Sequence, residues 1–251
     1  MSLKSQTVLI TGALGGIGLE VTQRFIEAGA RVVVTDRARE APAQHMAALG
    51  AEALYAPLDV TSESDWEAAI AATTTRFGSL TALVNIAGIF KPGIPFDEMP
   101  ADVWRQHIDV NLTGSFLGCK HAIRTMKQTG GGSIVNISSG LAHIMLSDGA
   151  PYCVSKAAVL TLTQVAAKAG GRHGIRVNAL LPGAIETPML WRNLRPGQDP
   201  QELLDTLVSQ HPIGRIGQPI DVAQAVLFLT DPASSFITGA MLAVDGGQLV
   251  A

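Results

Sequence analysis

The sequence predicts an α/β domain: a doubly wound, seven-stranded parallel sheet with helices on both faces. Three observations carry this. Seven short runs rich in aliphatic and β-branched residues recur along the chain, most of them apolar at successive positions rather than alternately. That pattern suits strands covered on both faces. Helical patterns fill the gaps, and strict alternation of strand and helix implies parallel strands joined by right-handed crossovers. No Pro/Gly/Ser-rich linker, internal repeat or low-complexity tract breaks the rhythm, so residues 1–251 are read as one domain.

The first strand, "TVLIT" from Thr7, runs into glycines and then a helix over 16–28. In "TGALGGIG", Gly12, Gly16 and Gly18 fall where the backbone turns tightly and approaches a bound group. The helix that follows aims its N-terminal amides and dipole at a phosphate. Three residues separate Gly12 from Gly16, a wider spacing than G-x-G-x-x-G. The second strand, "RVVVTD" from Arg31, ends at Asp36. A carboxylate there accepts hydrogen bonds from both adenosine ribose hydroxyls and repels a 2′-phosphate. Ala13, Leu14 and Gly15 offer no base to such a phosphate, so NAD is expected over NADP. Arg37 is the discordant residue, read as solvated or stacked near the adenine.

The remaining strands are "EALYAPLD" (Glu52), "ALVNIAG" (Ala82), "SIVNIS" (Ser133), "IRVNALLPG" (Ile175) and "AMLAVDGG" (Ala240). Helices are expected over 63–77, 102–128, 152–169 and 220–230. The stretch 188–212 is too long for a simple connection and reads as a substrate lid hinged at Gly197 and Pro200, mobile without ligand. Tyr152 stands four residues before Lys156 on one of these helices. The spacing alone leaves two readings open, a catalytic pair or two unrelated residues one turn apart.

Composition narrows the function classes. Hydrophobic residues make up 47% and charged residues 16%, enough for a sizeable core and against global disorder. A net charge of −3 and the lack of any Lys/Arg run argue against a nucleic-acid surface. No apolar run reaches the roughly 18 residues of a membrane helix, and the chain enters a strand too early for a secretory signal. Cys119 and Cys153 are too few for a disulfide framework, which points to a reducing cytoplasm, and both read as small buried hydrophobes. The six histidines show no ligand spacing, so no metal is expected, and no G-x-S-x-G precedes a helix.

Taken in order, the motifs resemble those of the short-chain dehydrogenase/reductase family, in its common single-domain branch. They are Thr11-Gly12-x-x-x-Gly16-Ile17-Gly18, Asp59-Val60, Asn85-Ile86-Ala87-Gly88, Asn111, Ser138-Ser139, Tyr152-x-x-x-Lys156, Pro182-Gly183 with Thr187, and Asp245-Gly246-Gly247. The resemblance spans essentially the whole chain and implies a Rossmann-type fold. It implies a dinucleotide held by the loop residues Gly12, Leu14, Gly15, Gly16, Ile17 and Gly18, with Asp36 and Arg37 at the adenosine ribose. Asp59 and Val60 would hold the adenine, and Asn85, Ala87 and Gly88 would support the sheet beside the adenosine. Tyr152 and Lys156 would face the nicotinamide ribose, and Pro182, Gly183, Ile185 and Thr187 would anchor the carboxamide. Asn111, Ser139, Tyr152 and Lys156 would be the catalytic residues, Ser139 rather than Ser138 matching the serine. Ile86 departs from the family's usual second Asn, which puts one local hydrogen bond in doubt.

These residue types suit hydride transfer. Oxidising a secondary alcohol requires a base for its proton, and a free tyrosine has a pKa of about 10. Residues four apart on a helix lie roughly 5–6 Å apart on one face. At an effective dielectric of about 20, an ammonium at that range stabilises a phenolate by roughly 3 kcal/mol. Lys156 is therefore expected to lower Tyr152 by about two pKa units. Ser139 would orient the substrate oxygen, and the resemblance implies that Asn111 bends its helix to hold a water that links Lys156 to solvent as a proton relay.

Segments after the carboxyl ends of the strands should line the substrate site. Ser139, Leu141, His143, Met145, Tyr152, Leu190 and Trp191 are the candidates, mostly apolar. The expected activity is hydride transfer between NAD(H) and a hydrophobic secondary alcohol, cyclic or linear, or its ketone. Two alternatives stand beside it: a 3-oxoacyl-(acyl-carrier-protein) reductase-like enzyme using NADPH, and a non-catalytic NAD-sensing regulator. Two long helices, over 102–128 and 152–169, are apolar over more than one stripe. The family resemblance implies that such helices pair across a two-fold axis and that the C-terminal segment makes a second interface, so a homotetramer is expected.

Overall fold

In the computed structural model, which describes residues 3–194, 197 and 199–250, the expected strands join in one sheet. They are β1 (Thr7–Thr11), β2 (Arg31–Asp36), β3 (Ala53–Pro57), β4 (Ala82–Asn85), β5 (Gly132–Ile137), β6 (Ile175–Pro182) and β7 (Met241–Val244). The order is β3-β2-β1-β4-β5-β6-β7, with every neighbouring pair parallel. β1 and β4 are buried over their whole length, the physical reason their sequences do not alternate. The winding reverses between them. That reversal opens a crevice beyond their carboxyl ends, and Gly12 and the 85–88 segment sit there.

The helices are α1 (Gly16–Glu27), α2 (Ala43–Leu49), α3 (Glu63–Phe77), α4 (Ala101–His107), α5 (Gly114–Met126), α6 (Ala150–Gly170), α7 (Pro188–Arg192), α8 (Pro200–Ser209) and α9 (Pro219–Thr230). One face of the sheet is closed by α1 and α9 through Val21, Phe25, Val222 and Val226. The other is closed by α3, α5 and α6 around Trp66, Phe77, Met126 and Ala166. Ser62 caps α3, its hydroxyl accepting from the Asp65 amide.

Several expectations need correction. α2 was not foreseen; none of its residues is buried, so no apolar stripe marks it. The helix expected over 102–128 runs from Ala101 to Met126 but passes through a wide π turn at Ile108–Thr113. α6 starts at Ala150, two residues early, with Pro151 in its first turn. The expected lid over 188–212 carries α7 and α8, while Arg195, Pro196 and Gln198 lie outside the described residues, as do Met1, Ser2 and Ala251. Among the described residues, no helix is long and apolar enough to cross a membrane.

Candidate active site

The glycine turn is shaped by its own backbone. Gly12 has φ +63°, and a Cβ there would lie 2.9 Å from the Ala87 Cα. A Cβ on Gly18 would lie 2.1 Å from the Gly12 carbonyl oxygen. Thr11 ties this turn to the next strand, its hydroxyl accepting from the amides of Ile86 (3.0 Å) and Ala87 (3.1 Å). α1 is entered from Gly15 with no side-chain cap and no acidic residue in its first turn, which leaves the amides of Gly16 and Ile17 without a side-chain acceptor. An uncapped helix start with glycine on every close approach fits a pyrophosphate.

Asp36 stands beside this turn, its two carboxylate oxygens accepting from the amides of Leu14 (3.2 Å) and Arg37 (2.8 Å). The Arg37 side chain itself is exposed. The Asp59 carboxylate accepts from the amide (2.9 Å) and hydroxyl (2.7 Å) of Thr61. Val60 packs against Gly114, where a Cβ would lie 2.8 Å from its Cγ2. Asn85 points into the protein, donating to Asn136 Oδ1 at 2.8 Å, and Asn136 donates to Thr163 at 2.9 Å. Its role is to pin β4 to β5 and α6, which matches support rather than ligand contact.

The reacting groups converge from three elements. Lys156 Nζ lies 5.7 Å from the centre of the Tyr152 ring, so the two side chains share a face of α6. The ammonium donates to the Ile137 carbonyl at the end of β5 (2.8 Å). Ser138 donates to the Lys156 carbonyl (2.7 Å), clamping α6 onto that strand. Ser139 caps the turn after β5, its hydroxyl accepting from the Leu141 amide at 3.1 Å. Phe90 packs on Tyr152, ring centroids 4.6 Å apart.

The π turn places Asn111. Fully buried, its Oδ1 accepts from the Ile89 amide (2.8 Å), while its Nδ2 donates to the Ile89 carbonyl (3.1 Å) and to Ser155 Oγ (3.0 Å). Ser155 in turn donates to the Tyr152 carbonyl (2.8 Å). A Cβ added at Gly88 would sit 3.2 Å from Asn111 Oδ1 and 3.4 Å from Lys156 Nζ, so asparagine and lysine meet over this glycine. Ser155 was not foreseen, nor was the clamping role of Ser138, which the sequence offered only as the neighbour of Ser139. The only signal was a serine inside "YCVSK" and a doubled serine after β5.

The expected acidification of Tyr152 by Lys156 is not met. Burial pushes the phenol up, with the Ser139 hydroxyl pulling it down and the Cys153 thiol adding to the rise. Burial also lowers Lys156, to about 8. The Coulomb argument left out desolvation, which drives both groups toward their neutral forms. Cys119, buried and free, is pushed up to about 12 by the same cause, and Cys153 is also buried. Both behave as the apolar fillers expected of them.

The end of β6 supplies the far wall. Gly183 donates to the Val244 carbonyl, and a parallel bridge pairs Ile185 with Gly217 through the Ala184 carbonyl and the Glu186 amide. The amide and carbonyl of Ile185 itself have no protein partner among the described residues, as a carboxamide anchor requires. Thr187 reaches back to the glycine turn: a Cβ on Gly16 would lie 2.8 Å from its methyl. Both halves of the expected cofactor site are thus in contact.

The substrate candidates are more dispersed. Leu141, Leu190 and Trp191 are half-buried, whereas His143 and Met145 are exposed. A cavity of about 580 Å³ lies between the 92–95 loop, Asp148 and the lid residues Arg192, Asn193 and Leu194. The expected segments line it, through residues that sequence reasoning had not singled out.

Comparison with known proteins agrees with this geometry. Residues 12–248 match the family model described as Enoyl-(Acyl carrier protein) reductase. A 2,5-dichloro-2,5-cyclohexadiene-1,4-diol dehydrogenase, LinX, of Sphingobium indicum is 40% identical, covering 99% of this chain and 98% of its own. A cis-4-hydroxycyclohexanecarboxylate dehydrogenase of Sinomonas cyclohexanicum is 39% identical, covering 96% of each. The crystal structure of a 3-ketoacyl-(acyl-carrier-protein) reductase from Brucella melitensis complexed with NADH superposes with a TM-score of 0.90, at 33% identity over 99% of this chain and 100% of that one. ElxO with NADP bound gives 0.90 at 32% identity, over 98% and 99%. The chain belongs to the short-chain dehydrogenase/reductase family, enzymes that move hydride between a nicotinamide cofactor and a carbon bearing oxygen.

Proposed function

We propose that this protein is an NAD-dependent dehydrogenase of ring-borne secondary alcohols, or a reductase of the matching ketones. The single observation that carries the cofactor choice is Asp36, an acceptor held beside the glycine turn by the Leu14 and Arg37 amides. A 2′-phosphate there would meet a carboxylate, and no cation stands in the turn. The ring preference is supported by relatives whose substrates, by name, are a cyclohexadienediol and a hydroxycyclohexanecarboxylate.

In this reading the glycine turn, Asp36 and the Ile185 backbone would hold the dinucleotide, which when bound in its oxidised form would supply the hydride acceptor and a positive charge beside the phenol before transfer. Tyr152 takes the hydroxyl proton while Ser139 holds the same oxygen. Lys156 positions the ribose and opposes the phenolate charge, and Asn111 carries the relay that returns the proton to solvent. The substrate enters by the cavity under Arg192.

Initial rates with NAD⁺ and NADP⁺ on cyclohexanol, 4-hydroxycyclohexanecarboxylate and 2-alkanols, and with NADH and NADPH on a 3-oxoacyl thioester, test this. Cyclic alcohols with NAD⁺ should dominate. Preference for the thioester with NADPH would install the second reading, an acyl-carrier-protein ketoreductase; the Brucella melitensis likeness favours that activity but not that cofactor, since its structure holds NADH. The enzyme is further proposed to work as a cytoplasmic homotetramer. Phe116, Val154 and Val165 are exposed on α5 and α6, and Phe228, Phe236, Met241 and Val250 around α9 and β7, two apolar surfaces of the kind subunits cover.

A further inference from the structure

His211 lies at the lid's C-terminal end and is 3% exposed. Its Nδ1 lies 2.6 Å from the Leu207 carbonyl on α8, and the Ala184 amide lies 3.2 Å from its Nε2. A backbone amide only donates and a carbonyl only accepts. The two partners therefore define the neutral tautomer, with the proton on Nδ1 and the lone pair of Nε2 facing Ala184. The ring is wedged so closely that a Cβ on Gly183 would lie 2.6 Å from Nε2.

The other amides of this loop that are bonded have backbone partners: Gly183 donates to Val244 and Glu186 to Gly217, while the Ala184 carbonyl accepts from Gly217. The Ala184 amide is where a side chain completes that set, and the side chain comes from the lid. The next residue, Ile185, presents the amide and carbonyl of the proposed carboxamide anchor, which have no partner among the described residues. One imidazole thus joins the element over the substrate to the backbone that would meet the cofactor.

We propose that His211 is a positioning residue that couples the lid to the cofactor loop, holding the 183–185 backbone for the nicotinamide end and transmitting its placement to α8. This rests on the proposed nicotinamide reading of the Ile185 anchor. It assigns His211 no contact with reacting atoms. Its predicted signature is in cofactor affinity rather than in the chemical step.

Three variants separate the two bonds. His211→Gln keeps an oxygen at the Nε2 position for Ala184; His211→Asn keeps a donor near Nδ1 for Leu207 but no acceptor for Ala184; His211→Leu keeps bulk alone. Two readouts apply: hydrogen exchange of the 183–187 backbone without cofactor, and NAD⁺ affinity by calorimetry together with KM and kcat. One lost hydrogen bond of this kind corresponds to about a tenfold change. His211→Asn and His211→Leu should exchange at Ala184 about tenfold faster and bind NAD⁺ about tenfold more weakly, with kcat at saturation within about threefold. His211→Gln should stay within about twofold of the wild type in both. NAD⁺ affinity unchanged in His211→Leu, or equally poor in all three variants, would overturn the coupling. A wild type that binds neither NAD⁺ nor NADP⁺ would instead remove the cofactor reading, and the exchange rates would still judge the bond to Ala184.

Discussion

The two ends of the crevice are built differently. At the glycine turn the fit is made by main chain: Gly12, Gly16 and Gly18 are places where a Cβ would strike Ala87, Thr187 or the Gly12 carbonyl. At the reacting end the fit is made by side chains, Lys156 held by the Ile137 carbonyl and Asn111 by Ser155 and the Ile89 backbone. Main-chain fit fails by collision, and fold and binding fail together. Side-chain fit allows the chemistry to be removed while the scaffold stands.

The largest effect that would break this contrast is at Tyr152. Tyr152→Phe should fold and bind cofactor but lose about 10³-fold or more in kcat, the scale of a removed general acid–base. Turnover within tenfold of the wild type would take Tyr152 out of the mechanism. Gly18→Ala probes the opposite end. Alanine favours an isolated helix by about 1 kcal/mol, yet here its methyl would meet the Gly12 carbonyl, so a net loss of about 2 kcal/mol is expected with cofactor binding abolished. Urea denaturation with and without NAD⁺ reads both.

Lys156 sharpens the comparison through pH. The unfolded lysine keeps its proton to about 10.5, while the folded one releases it near 8. Between these values the unfolded chain binds more protons, so stability of the cofactor-free protein should rise with pH, by up to about 1.4 kcal/mol per unit. Below pH 8 the full penalty of the buried charge is present. Lys156→Met should lack that slope in urea midpoints taken from pH 7.5 to 9.5. Asp36→Ala is smaller: KM for NAD⁺ about tenfold higher, with the gap to NADP⁺ narrowed. The smallest effect belongs to Trp191→Ala on the half-buried lid helix α7. It should raise the alcohol KM about fivefold, near 1 kcal/mol of lost apolar contact, and leave NAD⁺ affinity unchanged.

Features set by local rules were readable from the chain. The strands announced themselves because β1 and β4 are buried on both faces, and Gly12 because its φ is positive. Tyr152 and Lys156 share a helix face because four residues make one turn. What depends on distant packing was not readable. The upward shift of Tyr152 follows from burial that no spacing reports. α2 hides because it buries nothing, and the cavity lining combines the 92–95 loop, Asp148 and Arg192 from well-separated segments. The apolar pattern of the 101–126 helix continues through the π turn, so its extra residue left no mark.

That extra residue carries a constraint on how the chain can change. One residue corresponds to about 100° of helix rotation. Deleting any position within Ile108–Thr113 would give a regular helix and, at the same stroke, swing Leu117, Ala122 and Met126 out of the core they fill. A shortened variant therefore has to choose between a straight helix and a packed one, which makes the irregular turn hard to lose by small steps, whatever substrate its bearer comes to use.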